Sequence, residues 1–130
     1  MSENYILMFR DEGIDWTQYQ DDERGKAFYQ KFVDWTADLD KRGKLYGVEA
    51  LARGGKTVRR KGASIVVDGP YAEGREAVLG YFIVTVANLD EALALAAESP
   101  HANAGGATEV RLVTPFPKPG NVGGECARPG

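Results

Sequence analysis

The chain has 130 residues, 43% of them hydrophobic and 27% charged, which is the composition of one folded globular domain and excludes a disordered chain. With 16 basic and 19 acidic residues, its formal net charge of −3 lacks the basic excess typical of nucleic-acid-binding proteins. The amino terminus has no signal-peptide pattern, and no apolar run approaches the roughly 20 residues that span a bilayer, so we expect neither nucleic-acid nor membrane partners.

The first part of the sequence predicts a strand, a long helix and a second strand. Residues 5–9 form an apolar run of β-favouring side chains. Between residues 21 and 42 the apolar side chains recur at the period of one helical face. They are Phe28, Phe32, Trp35 and Leu39. Gly43 is a natural carboxyl-terminal cap, and residues 45–51 then read as the second strand.

The second part predicts a hairpin, a strand, a helix and a last strand. Residues 57–60 and 64–67 flank Lys61-Gly62-Ala63, a tight-loop sequence. Residues 80–86 are strongly β-favouring. Asn88, with Glu91 three residues on, predicts a capped helix that ends at Ser99-Pro100. A half-exposed strand follows over residues 109–113.

This order of elements predicts an α+β fold, a ferredoxin-like antiparallel sheet with two helices on one face. Residues 1–114 would form this domain and residues 115–130 a flexible Pro/Gly-rich tail. The tail holds the lone Cys126, which fits a reducing compartment, and we expect a cytoplasmic protein. On the open face of the sheet we expect apolar side chains from three strands, which predicts a homodimer. The candidates are Tyr5 or Ile6, Tyr81 or Phe82, and Val110.

The turn Asp68-Gly69-Pro70-Tyr71 has two interpretations. In the structural one, Asp68 bonds the backbone two residues on, and glycine and proline set the turn. In the functional one, Asp68, Tyr71 and Glu73 lie at the lip of a pocket between sheet and helices and orient a small ligand. Asp68 would then be a candidate catalytic base if burial raised its pKa.

His101 is the only histidine and the second candidate catalytic residue. It follows Pro100 in a loop of small residues, so the alternative is a solvated surface residue. Arg10, Glu49 and Tyr81 complete the predicted ligand-binding groups. Trp16 precedes the long helix, where it either packs at the helix entry or sheet edge or covers a ligand. No set of residues at metal-ligand spacing or in a nucleotide-binding loop occurs, so no metal or cofactor is predicted.

Residues 67–73, followed by residues 79–84, 90–93 and 109–111, resemble the YCII-related proteins, specifically their DGPF-domain branch. The resemblance covers residues 4–114 and implies a ferredoxin-like domain that dimerises into an α/β-barrel-like assembly. Tyr71 stands where that branch usually has phenylalanine. The founding YCII branch has a proposed catalytic pair, a histidine on the first helix and an aspartate at the end of the second. This chain has no histidine on its first helix, and at the end of its second helix Ser99 stands in place of the aspartate.

Two functional hypotheses follow. The first is a homodimeric domain that binds a small molecule between sheet and helices, with weak acid–base catalysis as an extension. The second comes from the resemblance alone, because genes of the DGPF branch often lie beside those of extracytoplasmic-function sigma factors. It is a non-enzymatic regulatory partner of such a sigma factor.

Overall fold

The computed structural model describes residues 2–52, 54–69, 78–117 and 119. In chain order its elements are β1 (Glu3–Arg10), a 3-10 helix (Trp16–Tyr19), α1 (Asp22–Lys41), β2 (Leu45–Ala50), β3 (Thr57–Lys61), β4 (Ser64–Asp68), β5 (Val78–Val86), α2 (Leu89–Glu98), α3 (Pro100–Asn103) and β6 (Thr108–Leu112). Among these described helices, none combines the length and the apolar character that crossing a membrane requires.

Four strands form one sheet in the order β2-β5-β1-β6, and every neighbouring pair is antiparallel. Two β-α-β units, β1-α1-β2 and β5-α2-β6, interleave in this order, as in a ferredoxin-like domain. Strands β3 and β4, which lie between β2 and β5 in the sequence, form a separate two-stranded hairpin. The predicted antiparallel α+β architecture is confirmed, with α3 as an additional short helix.

The core lies between the helices and one face of the sheet. Alternation along β1 buries Tyr5, Leu7 and Phe9 on that face and leaves Ile6 on the other. Buried side chains from β5, α1 and α2 complete the core. They are Phe82, Val84, Val86, Trp35, Leu39, Ala92, Leu95 and Ala96. Val110 packs against this cluster, so its predicted place on the open face was wrong. Its register partner Leu7, which is in the core, puts it on the helix-covered face.

Helix α1 begins and ends where the sequence predicts. The Asp21 carboxylate accepts a hydrogen bond from the backbone N–H of Arg24 at 2.8 Å, which satisfies one of the free donors of the first turn. Gly43 follows with φ of 72°, a left-handed conformation that favours glycine. On the predicted apolar stripe, Trp35 and Leu39 are buried.

The segment after β5 is fixed by two side-chain caps. Asn88 accepts from the backbone N–H of Glu91 at 3.0 Å, as in the predicted capping box. The Glu91 carboxylate accepts in return from the N–H of Ala87, the residue before the cap, at 2.8 Å. Ser99 is fully buried and accepts from Ala102 N–H at 3.0 Å, which starts α3. Residues that the sequence indicated as a loop are therefore helical, because Ser99 caps a new turn immediately after α2 ends.

Candidate functional site

A cavity of about 400 Å³ lies between α1 and the edge of the sheet formed by β2 and β5. Its wall consists of Phe9, Trp16, Gly25, Phe28, Tyr29, Phe32, Val33, Thr36, Val48, Glu49, Ala50, Leu79, Gly80, Tyr81, Phe82 and His101. Apolar residues dominate this wall, and the volume is within the range of small-molecule sites, roughly 300–1,000 Å³.

Aromatic rings packed edge to face form much of the cavity wall. Phe28 and Phe32, four residues apart on α1, have ring centroids 5.3 Å apart. Phe32 contacts Phe9 of β1 at 5.9 Å, and Trp16 contacts Phe28 at 6.1 Å. These contacts give the wall a fixed shape, because each ring is held by the next.

His101 lies in the wall of this cavity, and only 2% of the residue is exposed. The alternative interpretation of His101 as a solvated surface residue was therefore wrong. Its Nε2 lies 2.8 Å from the carbonyl oxygen of Arg10 and 3.1 Å from that of Ala107. Carbonyl oxygens only accept, so Nε2 must carry the hydrogen and donate it to both.

The second ring nitrogen of His101, Nδ1, has no hydrogen-bond partner among the described residues. His101 belongs to the wall of the cavity. With the hydrogen on Nε2, Nδ1 is the hydrogen-bond acceptor of this ring.

Three glycines let the chain fold back over His101. A Cβ built at Gly13 would lie 2.2 Å from the carbonyl oxygen of Gly105, so the turns after β1 and after α3 meet backbone to backbone. The backbone N–H of Gly106 donates to the His101 carbonyl at 2.9 Å, and Ala107 N–H donates to that of Glu12 at 3.1 Å. These backbone contacts place Ala107 and the end of β1 around the imidazole.

Burial lowers the pKa of His101 below its ordinary value, because a charged imidazolium is poorly solvated there. The hydrogen bonds to Arg10 and Ala107 and the negative charge of Asp11 raise the pKa and offset part of this effect. The result is a neutral imidazole at pH 7, with Nε2 protonated and Nδ1 free to accept a proton or a hydrogen bond.

The other predicted polar groups are placed differently. Glu49 and Tyr81 border the cavity and are register partners on β2 and β5. Side chains alternate along a strand, so theirs lie on the opposite face of the sheet from Phe82. Arg10 contributes its carbonyl to His101, and its guanidinium pairs with Glu109.

Asp68, the first residue of the turn that carried the other predictions, is not at this cavity. Asp68 ends β4, opposite Thr57 of the hairpin, and is not among the residues of the cavity wall. Arg59, Arg60 and Lys61 are exposed on the same hairpin. Tyr71 and Glu73 lie outside the described residues.

Sequence reasoning missed Asp11, which is in the turn after β1. Its carboxylate accepts a hydrogen bond from the indole N–H of Trp16 at 2.5 Å and contributes negative charge near His101. The Trp16 ring also contacts Tyr19 at 6.1 Å. Trp16 therefore packs at the entry of α1, one of its two predicted roles, and lines the cavity from that position.

In the segments that the structure describes, no group of three or more histidine, cysteine, aspartate or glutamate residues is arranged to hold a metal ion. The fold and the site together define a ferredoxin-like α+β domain with an aromatic cavity between its first helix and the sheet.

Comparison with known sequences places the chain in a family. Residues 10–117 match the YCII-related domain, and the chain belongs to that family. It is 33% identical over 124 residues to an uncharacterized protein of Rhizobium meliloti (strain 1021), covering 90% of this chain and 95% of that protein.

Proposed function

We propose that this YCII-related protein binds a small, largely apolar molecule in the cavity between α1 and the sheet. The observation that carries the proposal is His101, a buried imidazole in the wall of an aromatic cavity, whose Nε2 is bonded to backbone and whose Nδ1 has no hydrogen-bond partner among the described residues. An apolar pocket with one convergent polar group is the usual composition of a small-molecule site.

His101 also supplies the chemistry that such a site needs for acid–base work. A neutral imidazole accepts a proton at Nδ1, and the carbonyls of Arg10 and Ala107 then stabilise the imidazolium through the Nε2 hydrogen. Proton abstraction from a bound molecule is therefore the reaction that we propose for this site. Asp68 stays a prediction without a place in that reaction.

The test is a fragment titration monitored by amide chemical shifts. We expect apolar aromatic fragments to shift resonances of α1 residues around Phe28 and Phe32, and of His101. Thr36→Trp fills the cavity from α1 and should abolish these shifts, whereas Ala37→Trp, on the exposed neighbouring position, should preserve them. Unchanged binding by Thr36→Trp, or shifts confined to other surfaces, would refute the proposal.

We also propose that two copies pair through the open face of the sheet. The support is a set of half-buried apolar side chains on that face of the two central strands. They are Ile6, Met8, Tyr81 and Ile83. Sedimentation velocity should show a dimer that Ile83→Lys dissociates and that Leu93→Lys, on the exposed side of α2, leaves intact. A monomeric wild-type protein at micromolar concentration would contradict this pairing.

The residues Asp68-Gly69 before β5 support placement in the DGPF branch, which is part of the same proposal. The sigma-factor partnership, which rests on that branch alone, stays a prediction. Absence of a complex with a purified sigma factor at micromolar concentration would count against it.

A further inference from the structure

We infer that the ligand is a neutral aromatic molecule carrying a hydrogen-bond donor, of the phenol class, whose donor binds Nδ1 of His101. This inference rests on the proposed function and names the chemical class that the same cavity selects. It depends on which ring nitrogen holds the hydrogen and on which charges line the wall.

The hydrogen of the neutral imidazole is held at Nε2 by its surroundings. Two carbonyl oxygens, at 2.8 and 3.1 Å, face Nε2, and both would confront a lone pair if the hydrogen moved to Nδ1. A buried acceptor facing other acceptors loses its hydrogen bonds and adds repulsion, which is costly. Nδ1 is therefore the acceptor of this ring of the cavity wall, and the complement of an acceptor is a donor on the ligand.

The remaining wall favours a flat, uncharged body for the ligand. Phe9, Phe28 and Phe32 present ring faces and edges in contact with one another, which suit another aromatic ring. Along the described part of the wall, neither lysine nor arginine occurs, and the side chain of Glu49 lies on the opposite face of the sheet from Phe82. A carboxylate or phosphate would thus be desolvated there without a cation to pair with.

These two features together favour a hydroxyl on an aromatic ring over its close analogues. An ether of the same shape cannot donate, so it would displace water from Nδ1 and leave that nitrogen without a partner. Sites built to hydrogen-bond a hydroxyl discriminate strongly against ligands that lack it. Discrimination against an acid of the same size follows from the missing cation.

The experiment compares 2-naphthol, 2-methoxynaphthalene and 2-naphthoate by chemical-shift titration at pH 7.5. We expect 2-naphthol to bind at least about tenfold more tightly than the ether, the effect of roughly one hydrogen bond. We expect 2-naphthoate to be the weakest of the three. In His101→Phe, which keeps a ring but has no acceptor, the preference for naphthol over the ether should disappear.

Equal binding of naphthol and ether would overturn the inference, and so would tightest binding of the acid. Either result would leave the proposed function of the cavity intact. Binding of none of the three would overturn both. Nitrogen-15 spectra of the unliganded wild type test the same inference without a variant that must fold. The spectra should show a hydrogen on Nε2 and none on Nδ1, and the opposite tautomer would overturn the inference.

Discussion

Gly106 lies against the ring of His101 so closely that a Cβ built there would be 2.3 Å from Nε2 and 2.5 Å from Cδ2. No side chain larger than hydrogen fits without displacing the imidazole. Nε2 is also the atom that donates to the carbonyls of Arg10 and Ala107, so the glycine and the orientation of the ring depend on each other.

Gly106→Ala should lower the free energy of unfolding by about 1–3 kcal/mol, the usual cost of forcing extra atoms into a packed site. The reason is the displaced ring, which loses both carbonyl acceptors. Gly47→Ala in β2 is the matched control, because a Cβ there has nothing within 4 Å. Urea unfolding of both variants measures the difference.

The double variant His101→Ala with Gly106→Ala separates this contact from a backbone effect. In a protein that already carries His101→Ala, Gly106→Ala should lower the free energy of unfolding much less than it does in the wild type, because the ring is gone. If the two substitutions are additive, the close approach of glycine to imidazole does not account for the loss.

Stability should fall as the solution is acidified through the ordinary pKa of histidine, about 6.5. Because burial lowers the pKa of His101 in the folded state, the unfolded chain binds the proton more readily. The contribution of His101 to the free energy of unfolding is fully present above the pKa that it has in the unfolded chain. As the pH falls, this contribution decreases by at most about 1.4 kcal/mol per pH unit, until the pH is below the pKa of His101 in the folded protein.

His101→Gln, whose side-chain amide donates a hydrogen bond but does not titrate, is the comparison for this pH effect. As this is the only histidine, the difference in unfolding free energy between wild type and variant should shrink from pH 7.5 to pH 5. A difference that is constant over this range would show that His101 has an ordinary pKa in the folded protein.

Asp11→Asn should lower the pKa of His101 further. Burial sets the direction of the shift, and the negative charge of Asp11 is one of the effects that oppose it. Titration of the His101 ring signals by NMR measures the change, with Asp34→Asn, an exposed substitution on α1, as the control. An unchanged or raised pKa in Asp11→Asn would show that this carboxylate does not act on the imidazole.

The elements of the fold were largely predictable because their signals are local. The spacing of Phe28, Phe32, Trp35 and Leu39 identifies α1, and Asn88 with its capping-box glutamate identifies the start of α2. The face on which Val110 lies depends on its register with β1, which no local pattern in the last strand specifies.

The candidate site was predictable only in part, because its residues come together over long sequence distances. His101 stood out as the lone histidine, but its burial depends on the contact of Gly13 with Gly105, which brings together two distant turns. The aromatic residues were expected in the core, and nothing in their spacing indicates a cavity beside them. The turn sequence made Asp68 a candidate, and the hairpin places it outside the cavity wall.

Asn88→Ala should destabilise the protein by about 1 kcal/mol, the typical cost of removing a helix cap. The lost bond is that from Glu91 N–H, at 3.0 Å, to the Asn88 side chain. Asn88→Asp keeps an acceptor in the same place and should leave stability almost unchanged. Equal losses in the two variants, measured by thermal unfolding, would contradict a capping role.

The most direct measurement is an experimental structure of the protein with 2-naphthol. We predict the ligand between α1 and the β2–β5 edge of the sheet, its rings against Phe28 and Phe32 and its oxygen within hydrogen-bond distance of Nδ1 of His101. A ligand bound elsewhere would contradict the cavity as the binding site. A ligand in the cavity with its oxygen directed away from His101 would contradict the role assigned to the imidazole.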